Sequence, residues 1–160
     1  MQRVMVVCVG RLKERFYIDA AAEYAKRLGR YCRLEIVEVL DEKTPEGAGA
    51  ALEEQIREKE ASRIVKHIRE DAFVWTLEIG GKKMDSPAFA RRINALALGG
   101  KSHIQFIIGG SLGLSKTVTG LADDAVSFSD MTFPHQLMRV ILLEQIYRGF
   151  RINANEPYHK

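Results

Sequence analysis

Long apolar runs, clustered cysteines and the marks of secretion are what this sequence lacks. No stretch approaches the ~20 consecutive apolar residues that a bilayer-spanning helix needs, so a chain anchored by such a helix is not expected. Cys8 and Cys32 stand in no CxxC or metal-ligand spacing. Buried or free thiols in a reducing cytoplasm are the expectation. His67, His103 and His135 complete no ligand set with them, so no metal is expected either. The N-terminus, Met-Gln-Arg-Val-Met-Val-Val-Cys-Val-Gly-Arg, carries one basic residue ahead of a short apolar run, with further charges soon after. It reads as a first strand and not as a signal peptide. Internal repeats and low-complexity segments are missing too.

What is present fits one domain over residues 1–160: the chain has 160 residues and is 46% apolar, enough for a real core and too apolar for disorder. Net charge is only +3, but it is unevenly spread. Residues 1–33 hold eight Lys/Arg against three Asp/Glu, whereas residues 34–72 hold six against eleven. A basic first third beside an acidic segment is either a phosphate-binding surface or an ordinary solvated helix face.

Along the chain, strand and helix patterns alternate. Val4 to Val9 is an unbroken apolar run, hence a strand buried on both faces. Glu14 to Leu28 has Ile18, Ala21, Ala25 and Leu28 at helical spacing and is stopped by Gly29. Leu34 to Leu40 alternates with Glu35 and Glu38 as a strand with one partly wet face. A charged helix runs from Leu52 to about Ile68. Ala72 to Ile79 is a third strand, with Gly80-Gly81 as the turn after it. Ser86-Pro87 opens a helix that Gly99-Gly100 ends. Ile104 to Ile108, a short helix around Leu114 to Ala122, and a strand near Ala125 to Phe128 follow. Strands separated by helices predict a three-layer α/β domain: a parallel sheet with helices on both faces.

Ligands of such sheets bind beyond the C-terminal ends of the strands. Three ends stand out: Thr76 to Gly81, Ile108-Gly109-Gly110, and Phe128 to Phe133. If they meet, they form a pocket of backbone amides and carbonyls with apolar walls. Gly110 to Thr117 approximates the phosphate loop GxxxxGK[ST], but Ser115 stands where its second glycine must be. With no convincing magnesium-binding aspartate, a nucleotide triphosphatase is the weaker enzyme reading. A non-enzymatic RNA-binding protein would explain the basic third but leave the three loops without a purpose.

The last helix, from about His135 to Asn153, carries apolar residues over more than half its circumference, where a surface helix needs a stripe of roughly 100°. The excess calls for a second covering layer, and a partner subunit is the preferred source. Pro157-Tyr158-His159-Lys160 ends the chain. Judged by position alone it is a frayed tail.

These residues resemble a family. Val9 to Lys13, Thr76 to Ile79 with Gly81-Lys82, Ile108 to Gly110 with Gly113, Ser129 through His135, Met138 to Val140, Glu144-Gln145 with Tyr147-Arg148, and Pro157 to His159 match, in order, bacterial ribosomal RNA methyltransferases of the knotted SPOUT class. The resemblance spans the whole chain. It implies a C-terminal trefoil knot, a homodimer, and S-adenosylmethionine (S-adenosyl-L-methionine) as methyl donor. The acceptor it implies is the imide nitrogen (position 3) of a pseudouridine in 23S ribosomal RNA within the ribosome. It assigns the cofactor to Leu77, Gly109, Gly110 and the run Phe128, Ser129, Asp130, Met131, Thr132, Phe133. The tail residues Tyr158 and His159 are assigned to the RNA base, in a site completed by the other subunit. His159 is the candidate proton acceptor, since histidine titrates near neutrality. Arg139 and Arg148 are candidates to stabilise the developing imidate. Arg148 also suits a simple Glu144–Arg148 helix pair.

Overall fold

Unbroken apolar runs and glycine stops mark where the elements form in the computed structural model, which describes residues 1–160. The chain runs β1 (Gln2–Val9), α1 (Arg15–Leu28), β2 (Cys32–Val39), α2 (Ala50–Val65), β3 (Phe73–Lys83), α3 (Ser86–Leu98), β4 (His103–Ile108), α4 (Lys116–Thr119), β5 (Asp124–Ser127), α5 (His135–Asn153). All pairings are parallel, in the order β2-β1-β4-β3-β5. β1 and β4, the most uniformly apolar runs, lie inside the sheet, and every residue of β4 is buried. The alternating β2 takes an edge, with the wet face expected of it.

Both faces of the sheet are covered, as the pattern predicts. On one side Val4, Val6, Trp75, Ile104 and Phe106 pack under α1, α3 and α5. Trp75 stacks on Phe106 at 5.5 Å and meets Phe89 of α3 at 5.2 Å. On the other side Met5, Val7, Val74 and Ile107 pack under α2 and α4, through Ala61, Ile64 and Val118. No helix is long and apolar enough to cross a membrane.

Two expectations need correction. Gly80-Gly81 is not a turn after the third strand; β3 continues through it to Lys83. Val126 of β5 is the register partner of Leu77 and again of Lys82, so β3 returns to the same short strand. Only glycine fits at 81. A Cβ there would stand 2.7 Å from the carbonyl carbon of Val126 and 2.9 Å from that of Ala125. Such backbone proximity leaves no trace in a hydrophobic pattern.

The second correction concerns α5. Its apolar surplus is covered within the chain, by α1 on one flank and α3 on the other. Leu142, Leu143 and Ile146 are fully buried. Gly149 lets α3 come close, since a Cβ there would lie 3.4 Å from Ile93 Cδ1 and 3.6 Å from Ala90 Cα. Ser86 Oγ donates to Gln145 Oε1 (2.7 Å) and Asn153 Nδ2 to the Ala90 carbonyl (2.9 Å), fixing the pair along its length. What α5 leaves half-exposed is a narrower strip that includes Leu137, Ile141, Glu144, Arg148 and Ile152.

Candidate active site

The three strand ends do meet. The loops after β4 and β5 and the Leu77–Gly80 part of β3 line one cleft of about 740 Å³, whose last wall is the start of α5. Leu77, Gly109, Gly110, Phe128, Ser129, Met131, Thr132 and Phe133 all line it. Asp130 does not: its carboxylate is turned to Lys83 Nζ, 2.6 Å away.

The floor is shaped by glycine. At Gly109 a Cβ would lie 2.8 Å from the carbonyl carbon of Gly113 and 2.9 Å from its oxygen. Gly113 itself has φ 78°, a left-handed value that glycine accepts without strain. The turn it closes is a bridge between Gly110 and Gly113. Beneath Gly110 sits Glu60, only 4% exposed, accepting from the Glu42 amide at 3.0 Å. Burial pushes its carboxyl pKa up. This turn is not a phosphate loop. Ser115 is buried, and the helix it opens has a single turn.

Lining residues that were not assigned to the cofactor include Ile108, Val126, Leu112, Leu114, His135 and Met138. Ile108 and Val126 are strand-end residues, and position at a strand end was the available signal. His135 and Met138 share one side of the first turn of α5. Burial and the charge of Arg139 hold the His135 pKa down, so a neutral imidazole borders the cleft. Glu78 is the one carboxylate of the lining, and Thr76 Oγ1 hydrogen-bonds to it.

The remaining site candidates lie elsewhere on α5. Arg139 is 2% exposed, donates to Glu38 Oε2 (2.6 Å) and to the Gly10 carbonyl (3.0 Å), and ties α5 to the ends of β1 and β2. It does not line the cleft. Because Glu38 is 38% exposed at its side chain and Arg139 only 3%, the two partners are not equivalent. Glu38→Gln strands a buried cation and is expected to cost about 3 kcal/mol. Arg139→Met leaves a carboxylate that water can reach and is expected to cost less. Urea unfolding of the two variants gives the comparison.

The tail is built, not frayed. Arg151 donates to the Pro157 carbonyl at 2.9 Å and pairs with Glu156, which also accepts from Tyr31 Oη at 2.6 Å. Tyr158 Oη donates to Glu144 Oε1 at 3.0 Å, and its ring meets Tyr147 edge-on at 4.9 Å. Burial and Glu144 push its phenol pKa up to about 12, so it stays neutral. Arg148 caps the same ring at 4.7 Å, pairs with Glu144, and reaches His159 Nδ1 at 3.2 Å. Arginine has only donors, so Nδ1 accepts and the proton resides on Nε2. This cluster sits six to ten residues along α5 from Met138, about 9–15 Å. Tail and cleft of one chain are separate.

The family model described as Predicted SPOUT methyltransferase matches residues 2–159. The chain belongs to the SPOUT methyltransferases. This SPOUT methyltransferase is 62% identical over 158 residues to the ribosomal RNA large subunit methyltransferase H of Bifidobacterium adolescentis, covering 99% of each chain. It is 54% identical over 157 residues to the protein of that name from Clostridium beijerinckii, covering 98% of this chain and 99% of that one. Among solved structures it resembles a methylase family protein of Haemophilus influenzae, with TM-score 0.56, 14% identity, and coverage of 99% of this chain and 71% of that one. A Legionella pneumophila methyltransferase solved with the bound cofactor SAM gives TM-score 0.51 at 9% identity, covering 95% of this chain and 66% of that one. At such identities the likeness speaks for the fold.

Proposed function

We propose that this protein transfers a methyl group from S-adenosylmethionine to the imide nitrogen (position 3) of a pseudouridine in 23S ribosomal RNA. In this reading it is a cytoplasmic, knotted homodimer, each chain acting as a single catalytic domain. The observation that carries it is the convergence of three strand ends on one cleft, in a chain whose relatives are named for ribosomal RNA methylation. The cleft fits the cofactor chemically. It has the size of a small-molecule site, apolar walls for an adenine, backbone groups for its edge, and Glu78 for a cationic donor. The cofactor supplies a methyl group on a sulfonium that is already a good leaving group.

The protein therefore has mainly to align donor and acceptor and to deal with the imide proton. Leu77, Gly109, Gly110 and residues 128–133 hold the donor, with the Asp130 side chain serving the loop through Lys83. Tyr158 packs on the base, and its neutral hydroxyl stays with Glu144. His159 takes the imide proton at Nδ1 once the base displaces Arg148 from it. Arg148, freed, faces the developing imidate. Since a chain's own tail packs about 9–15 Å along α5 from its cleft, the tail that acts is the partner's. The half-exposed strip of α5 that carries Arg148 and Ile141 is the proposed dimer face.

S-adenosylmethionine at 100 times its Kd is expected to stabilise the fold by about 2.7 kcal/mol, and ATP–magnesium not at all. Thermal melts read this, together with methyl transfer from labelled cofactor to ribosomes. A melt raised by ATP–magnesium and indifferent to the methyl donor overturns the reading.

A further inference from the structure

At the end of the sheet opposite the cleft, the strand starts are cationic. Arg3 of β1 is in register with Arg33 of β2 on one side and with His103 of β4 on the other. Register partners in a parallel ladder point to the same face, so the three side chains form one row across three strands. The next row on that face is Met5, Glu35 and Gln105, and the one after is Val7, Val37 and Ile107. The turn after α2 covers the face as far as Gln105, whose side chain donates to the His67 carbonyl (2.7 Å) and accepts from the Arg69 amide (2.8 Å). Beyond it, at the cationic row, a pocket of about 380 Å³ opens, with Met5, Leu34 and Glu35 among its walls.

The row is unsatisfied in a way that points to an anion. Arg3 and Arg33 are exposed and neither joins an ion pair. Like charges on directly neighbouring strand positions repel, so the pairing is unfavourable unless something negative lies between them. His103, the third member, is only 4% exposed, and its Nδ1 has no hydrogen-bond partner. Nδ1 faces the Asp71 carboxylate at 3.7 Å, within ion-pair reach but too long for a hydrogen bond. Burial first, and the charges of Arg3 and Arg69 after it, hold the imidazole pKa down against Asp71. Two guanidinium forks beside an imidazole suit the tetrahedral oxygens of a phosphate. Glu35 in the wall disfavours a doubly charged ion and favours a singly charged diester.

We propose that Arg3, Arg33 and His103 form a second RNA contact, a site for one backbone phosphodiester. It rests on the ribosomal RNA reading above. Arg3 precedes Gly10 by seven residues, so the site lies about 23 Å along β1 from the cleft end of the sheet. RNA bound there is held by its backbone at one end of the sheet while the target base is treated at the other.

The test uses Arg3→Gln and Arg33→Gln, singly and together, in the full chain. Affinity for a ribosomal RNA fragment is measured by fluorescence anisotropy across a salt series. Each single variant is expected to weaken binding several-fold and to lower the slope of log K against log salt by a fraction of a unit, because the two arginines share one phosphate. The double variant, which removes the one phosphate contact, should lose about 1, with S-adenosylmethionine affinity unchanged. A second readout is the His103 ring 1H–15N signal titrated with dimethyl phosphate. It should shift and saturate in the wild type and stay still in the double variant. Wild-type salt slopes in all variants overturn the proposal. A His103 shift with inorganic phosphate alone makes this a free-phosphate site and overturns it equally. A wild type that binds no ribosomal RNA, while dimethyl phosphate still saturates the His103 shift, overturns the substrate assigned above and leaves the diester site standing.

Discussion

His159→Ala is expected to lower methyl transfer by about 100-fold or more, the scale of a lost acid–base group, with folding and cofactor affinity close to wild type. Tyr158→Ala should cost about 1–3 kcal/mol of transition-state binding through lost stacking on the target base. Both side chains stand on a tail held by Arg151 and Tyr31, away from the cleft of their own chain. Single-turnover rates and calorimetric cofactor affinities separate the two effects. In the proposed mechanism His159 takes a proton, so its loss should matter less as pH rises and more of the imide is already ionised. A cofactor affinity that falls as far as the rate puts the tail in the cofactor cleft instead. Full activity after deletion of residues 157–160 removes it from the site altogether. The separation also predicts rescue: a tail variant mixed with a cleft variant should regain activity through mixed dimers, each with one intact site. Variants at Leu142 or Leu143 cannot probe that dimer, because both side chains are fully buried in their own core.

Gly109→Ala is expected to abolish cofactor binding. The added methyl meets three backbone atoms of Gly113, at 2.8, 2.9 and 3.2 Å, and backbone cannot turn aside as a long side chain does. Gly113 is already at φ 78°, so the turn has little room to move without losing its bridge to Gly110. Overpacking of this kind costs about 1–3 kcal/mol, enough to lower the melting temperature by several degrees. The decisive measurement is the ligand-induced melt shift, which should vanish in the variant. Wild-type S-adenosylmethionine affinity in a folded Gly109→Ala protein would mean that the Gly109–Gly113 contact is irrelevant to the cleft.

The sheet was legible because its inner strands are nearly continuous apolar runs, and parallel strands buried on both faces can be nothing else. Helix α5 was legible in extent, from His135 to Asn153, but not in what covers it. A helical wheel records how much surface must be buried and is silent on whether α1 and α3 or another chain does it. Gly80-Gly81 misled for a related reason: the dipeptide has turn chemistry, and its actual cause is a backbone crossing at Val126. The cleft residues followed from strand ends and from family resemblance together. The side chains of Asp130 and Arg139 turn away from the cleft, each toward an opposite charge brought near only by the fold. Neither Lys83 nor Glu38 is a sequence neighbour of its partner. The tail's order was invisible for the same reason, since Tyr31 and Arg151 hold it from other elements.

The short strand β5 has a consequence for how the protein opens. It is four residues long, lies at the sheet edge, and takes all its ladder partners from β3. Residues 126–138, which follow from it, supply half the wall of the cleft. Amides there should exchange with solvent deuterium through a local opening that leaves β1 and β4 closed. A cofactor held in the cleft as proposed spans that opening and opposes it. Its effect on exchange should therefore be greatest at Val126 to Met138, where slowing grows with ligand concentration. By this account the cofactor is a clasp on the last fifth of the chain, and starving the protein of it lets the β5 edge open more often.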